Sequence, residues 1–111
     1  MADKFYNWVT LLSSLVNATG TPVAMNTCNR MAWSIQFPDN STAGTIIIEH
    51  STDAGYAGLW KQISSTAWAA ELTQLDGTFE GPLGFVRARL TLQAGTHTDP
   101  FTVKVQGIVG T

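Results

Sequence analysis

The sequence predicts an all-β chain: a single antiparallel β-sandwich or jelly roll of about seven or eight strands, with an N-terminal arm. Three observations predict it. Several segments alternate apolar and polar residues with a period of two, as strands with one buried face do. Clusters of Gly, Pro, Asn, Asp and Ser separate them about every 8–12 residues, the rhythm of short antiparallel strands. The longest β-branched run, Ile46-Ile47-Ile48, is stiff at χ1 and favours a pleated strand. On this reading residues 1–20 are an N-terminal arm or edge strand and residues 21–111 are the sandwich domain.

The segment Phe5 to Val16 is ambiguous by period. Trp8, Leu11, Leu12 and Leu15 have helical spacing, whereas the Val, Thr, Tyr and Trp content suits a strand. The β context of the rest of the chain favours a strand or an extended arm. Asn17 to Pro22 is a turn, Val23 to Met25 a short strand, and Asn26 to Asn29 a polar link or bulge. Met31, Trp33, Ile35 and Phe37 then form one apolar face opposite Ala32, Ser34 and Gln36, and Pro38 ends that strand. Gly44 to Ile63 is the central arch. Ile46, Ile48 and His50 share one face, Thr45, Ile47 and Glu49 the other. Ser51, Asp53 and Gly55 supply turn chemistry, and a second strand starts near Leu59. Ala67 to Leu72 reads as a helical turn or an irregular segment, and Asp76-Gly77 as a tight turn. Val86, Ala88, Leu90 and Leu92 face inward, with Arg87, Arg89, Thr91 and Gln93 outward. The last strand buries Phe101, Val103 and Val105 and exposes Thr102, Lys104 and Gln106.

The chain has 111 residues, enough for one domain. It is 44% hydrophobic and only 13% charged, against about 25% charged in typical soluble domains. Low charge suits either a surface covered by another chain or a β-protein rich in uncharged polar residues. The net charge of −2 and the lack of a Lys/Arg cluster argue against nucleic-acid binding. No apolar run approaches the ~20 residues that span a bilayer as a helix. The start, Met-Ala-Asp-Lys, has no signal-peptide layout, and the single cysteine fits synthesis in a reducing cytoplasm. One cysteine, Cys28, excludes an internal disulfide and a Cys-based zinc site. It reads as a small buried apolar residue.

Catalytic signatures are missing. No Gly-x-Ser-x-Gly elbow, P-loop or dinucleotide fingerprint occurs, and Glu49, Glu71, Asp76 and Glu80 show no pairing pattern for glycoside hydrolysis. The pairs His50/Asp53 and His97/Asp99 lie at turns, where polar residues are common without binding metal. Asp53 is expected to cap its own turn. No enzyme activity, cofactor or metal is therefore expected. Of the four tryptophans, Trp33 alternates with core residues and Trp60 packs beneath the arch, whereas Trp8 and Trp68 are open to core, interface or ligand roles. Arg87 and Arg89 suit a solvated or cross-strand-paired face, or acidic groups on a partner. The sequons at Asn17 and Asn40 are taken as chance matches.

Two blocks carry a resemblance: Ile46 to Gly55 followed by Leu59-Trp-Lys-Gln-Ile, and Phe79 to Thr91 with its Arg-Ala-Arg strand, followed by Phe101 to Gly107. Together they resemble the small β-sandwich virion proteins of tailed bacteriophages. The resemblance implies a capsid decoration (cement) protein on the exterior of the virion, made in the host bacterial cytoplasm. Its partners would be the major capsid protein and copies of itself, commonly as a trimer. A neck or tail adaptor is the alternative within that class. Phe5, Tyr6, Trp8, Trp68, Arg87 and Arg89 are the expected contact residues. The arch also looks like that of galactose-binding-like jelly rolls, which implies a surface glycan as ligand and Asp53, Tyr56 and Trp60 as its loop. Ala54, between Asp53 and Gly55, departs from that pattern.

Overall fold

In the computed structural model the residues described are 4–25, 28–38, 44–53, 55, 60–68, 74–81, 83–92 and 100–110, with Trp68 and Leu92 described by backbone alone. They form ten strands and no helix: β1 (Lys4–Phe5), β2 (Val9–Ser14), β3 (Ala18–Thr19), β4 (Val23–Ala24), β5 (Arg30–Gln36), β6 (Gly44–Ser51), β7 (Lys61–Trp68), β8 (Gln74–Glu80), β9 (Phe85–Leu92) and β10 (Phe101–Val109). The all-β expectation holds. β4 is the short strand expected at Val23, whereas the two-residue β1 is additional and β3 lies inside the segment 17–22 that was expected to be only a turn.

Every strand pair is antiparallel, and the strands divide into two five-stranded sheets. Sheet A runs β1–β10–β5–β8, with β2 beside β1 on the same flank of β10. Sheet B runs β3–β9–β6–β7, with β4 also on β9. The strand alternation decides what lies between them. Met31, Ile35, Phe101, Val103 and Val105 from sheet A and Ile46, Ile48, Val86, Ala88 and Leu90 from sheet B are each 0–2% exposed. Phe37 meets Phe101 edge-on, ring centroids 6.0 Å apart, at one end of this core.

The ambiguous N-terminal segment is strand, and a β-bulge explains its helical spacing. Val103 pairs with Leu12 and Lys104 with Thr10, so Leu11 is an extra residue on β2. The bulge turns two successive leucines inward, Leu11 at 3% and Leu12 at 6% exposed. The chain then crosses to sheet B between β2 and β3, and just past β3 the Gly20 N–H donates to the Ala88 carbonyl at 2.8 Å. A Cβ at Gly20 would stand 2.0 Å from the Leu11 carbonyl oxygen, so only glycine passes there.

The Asp76-Gly77 turn expectation is overturned. Both residues lie inside β8, where Ser34 pairs with Asp76 and Trp33 with Gly77. Glycine is needed there for another reason: a Cβ would sit 2.2 Å from Cζ2 of Trp33, whose ring occupies that space. Trp33 is on the core side as expected, but only partly buried. The segment at Ala67 continues β7 through Trp68, whereas residues 69–73 lie outside the described residues.

Candidate functional site

Two features stand out from the core: an ion-pair node beneath the arch and an apolar edge at the N-terminus. The node is built by strand register. Glu49 faces away from the core on β6, directly across from Arg87 on β9, and Arg89 is one step along the same face. Arg87 Nε donates to Glu49 Oε1 at 2.7 Å. Arg89 donates from Nε to Oε1 at 2.8 Å and from Nη2 to Oε2 at 3.2 Å. Trp60, immediately before β7, closes the group: the Arg87 guanidinium carbon lies 4.0 Å from its ring centroid. Glu49 is thereby 3% exposed and Trp60 4%. Arg87 and Arg89 are thus matched to an acid of their own chain.

The arch itself is tied locally. Ser51 Oγ accepts from the Asp53 N–H at 3.2 Å, and Asp53 Oδ1 accepts from the Gly55 N–H at 2.9 Å, the turn-capping role expected of Asp53. His50 points to the core side, its ring 5.7 Å from that of Phe79 on the opposite sheet. Burial, and secondarily the charge of Lys61 opposite, lower its pKa below the ordinary value of 6.5. Among the described residues no group of three His, Cys, Asp or Glu could hold a metal ion.

The N-terminal edge is where apolar surface gathers among the described residues. Phe5 (59% exposed), Tyr6, Trp8, Val9, Leu15 and Val16 (66%) are the large hydrophobics that remain exposed among the described residues, and all fall within one stretch of chain. They flank β1 and β2, the outer strands of sheet A. Hydrogen bonds to its backbone hold the stretch in place: the Tyr6 N–H donates to the Gly107 carbonyl at 3.0 Å, and the Gln106 side-chain Nε2 donates to the Tyr6 carbonyl at 3.1 Å. Lys4 Nζ lies 5.1 Å from the Tyr6 ring centroid. Scattered single hydrophobics are ordinary on a surface; this concentration on one edge is the pattern of a contact site.

The sequence-predicted contact residues therefore divide. Phe5, Tyr6 and Trp8 belong to the exposed edge, and Arg87 and Arg89 to the node on sheet B. The side chain of Trp68 is outside the described residues. In the expected glycan loop, Asp53 is engaged in its turn, Trp60 is covered, and Tyr56 is outside the described residues, as are His97 and Asp99. Sequence reading gave Glu49 no role. The signal was present in the facing registers of Glu49 and Arg87, but it becomes visible only once β6 and β9 are paired. The exposure of Val9, Leu15 and Val16 was equally hidden, because the Leu11 bulge changes which residues face out.

No family model matches the chain, and no curated protein matches it. Solved structures do. The crystal structure of the SPBc2 prophage-derived protein YomS superposes with a TM-score of 0.67 at 14% identity, covering 97% of this chain and 96% of that one. A protein from Bacillus endospore appendages, described as a family of disulfide-linked pili, superposes with a TM-score of 0.54 at 10% identity, covering 98% of this chain and 88% of that one. At these identities the likeness is one of fold: this chain shares its two-sheet β architecture with a prophage-derived protein and a pilus protein.

Proposed function

We propose that the chain is a non-enzymatic structural protein of a bacteriophage particle, a decoration protein that binds the outer capsid surface through its N-terminal edge. The observation that carries this reading is the concentration of exposed Phe5, Tyr6, Val9, Leu15 and Val16 in the stretch that holds β1 and β2. Burying such a strip stabilises a contact by roughly 25 cal/mol per Å² before the costs of association. The phage setting is supported by the shared fold with a prophage-derived protein and by the sequence resemblance to phage virion β-sandwiches.

The test is co-sedimentation with empty capsids of the parent phage, comparing the wild type with a Phe5→Ser/Val16→Ser variant. Both positions are largely exposed, so the variant keeps its core. Saturable attachment of the wild type and its loss in the variant are expected. Equal occupancy by both would overturn the proposed edge, and absence of attachment by the wild type would overturn capsid decoration.

A further inference from the structure

The outer face of sheet A carries an open trough of about 490 Å³. Its floor is Ala32 and Ser34 on β5, two small side chains that leave a depression between larger neighbours. One wall is Trp8, 47% exposed; the other is the outward row Gln74, Asp76 and Thr78 of the edge strand β8. The core accounts for none of these groups, since all the β8 members of the row are exposed.

We infer that this trough is a binding site for an uncharged saccharide unit. A sugar ring offers an apolar C–H face and a rim of hydroxyls that both donate and accept. The trough supplies the matching parts on opposite sides: a broad aromatic surface in Trp8, and convergent polar groups in Gln74, Asp76, Ser34 and Thr78. Asp76 and Gln74 are already ordered against each other, because Gln74 Nε2 donates to both Asp76 oxygens at 3.1 Å. A carboxylate has about four acceptor positions, so Asp76 retains capacity for two adjacent hydroxyls in a bidentate grip. The trough's lining includes one carboxylate, Asp76, and the exposed Lys104 pairs with Ser34 from the neighbouring strand β10, so the face carries one charge of each sign and suits an uncharged ligand. Its volume lies within the range of small-ligand sites, roughly 300–1,000 Å³. The openness of the edge strand lets a longer glycan continue past β8.

This site is distinct from the arch-end glycan loop suggested by jelly-roll resemblance, whose tryptophan is covered by Arg87. It shares Trp8 with the N-terminal edge, whereas its polar wall on β8 lies off the edge proposed for capsid attachment. The experiment is an NMR titration of the full-length, ¹⁵N-labelled protein with galactose, N-acetylglucosamine and the N-acetylglucosamine trisaccharide, each to its solubility limit. Saturable shifts of the Trp8 indole and Gln74 side-chain amide signals are expected with at least one probe. Trp8→Ala and Asp76→Asn should each weaken that binding about tenfold or more, with an unchanged amide spectrum away from the trough. No saturable shift with any probe overturns the inference. Equal binding by either variant does so too, by placing the sugar elsewhere. Capsid co-sedimentation of Asp76→Asn keeps the two proposals separable, since Asp76 lies on β8, off the N-terminal edge, and this variant should attach normally.

Discussion

Glu49 and Arg87 face each other across β6 and β9, and the Arg87 Nε–Glu49 Oε1 bond of 2.7 Å is the pivot of the arch. Through it the carboxylate holds both Arg87 and Arg89, and Arg87 in turn covers Trp60. Trp60, immediately before β7, is thereby fastened to the outside of sheet B. Buried acids are costly unless paired, and here two arginines share one carboxylate.

Replacing Glu49 should therefore cost more than its single charge suggests. Glu49→Ala is expected to destabilise the fold by about 3 kcal/mol, near the lower end for breaking a buried pair because the Arg89 side chain is 41% exposed. Chemical denaturation measures it. A change below about 0.5 kcal/mol, typical of an exposed pair, would show that the node does not hold the arch.

Arg87→Lys tests the geometry of the node. Lysine keeps the charge but loses the planar face over Trp60 and the fixed Nε–H. A loss of about 1–2 kcal/mol is expected, together with a red shift in tryptophan emission as Trp60 gains water. Wild-type stability and emission in the variant would reduce Arg87 to a point charge.

Gly77 and Trp33 should be energetically coupled. Gly77→Ala places a methyl 2.2 Å from the Trp33 ring, and overpacking of this kind costs about 1–3 kcal/mol. In a double-mutant cycle with Trp33→Leu the two losses should fall short of additivity by about 1 kcal/mol. Simple additivity would show that the ring moves aside without cost.

His50 gives the fold a pH dependence of known sign. Its pKa is lowered in the folded state by burial and by Lys61, so the unfolded chain binds the proton more readily. The His50 contribution is fully present above the ordinary pKa of 6.5 and is lost as pH falls through that value toward the folded pKa. Denaturant midpoints measured across this range should fall with pH in the wild type and less steeply in His50→Gln. Identical slopes in the two proteins would assign the dependence to other groups.

Removing residues 2–12 should unfold the domain rather than expose a bare sandwich. The deletion takes away Leu11 and Leu12, 3% and 6% exposed, and each buried leucine contributes about 2–5 kcal/mol. A cooperative thermal transition retained near the wild-type midpoint would show that the first strands are dispensable. Point substitutions at Phe5 and Val16 are for this reason the cleaner probe of attachment.

The sequence by itself determined the class of fold and most of its core. Period-two alternation in Met31 to Phe37, Phe85 to Leu90 and Phe101 to Val105 names the buried side chains directly, because a strand has only two faces. The arch, its Asp53 cap and the burial of Trp60 were legible too, since turn chemistry is local. What only the tertiary structure decided are the relations between strands distant in sequence. Pairing of β6 with β9 turned an isolated glutamate and an Arg-Ala-Arg strand into one node. The Leu11 bulge converted a helix-like spacing into an edge strand with apolar residues on its surface. Pairing of β5 with β8 made Asp76-Gly77 part of a strand, with the glycine reserved for Trp33 and the aspartate opposite Trp8 across a trough. Local sequence encodes which way a side chain points on its own strand; only the register between strands decides what it meets.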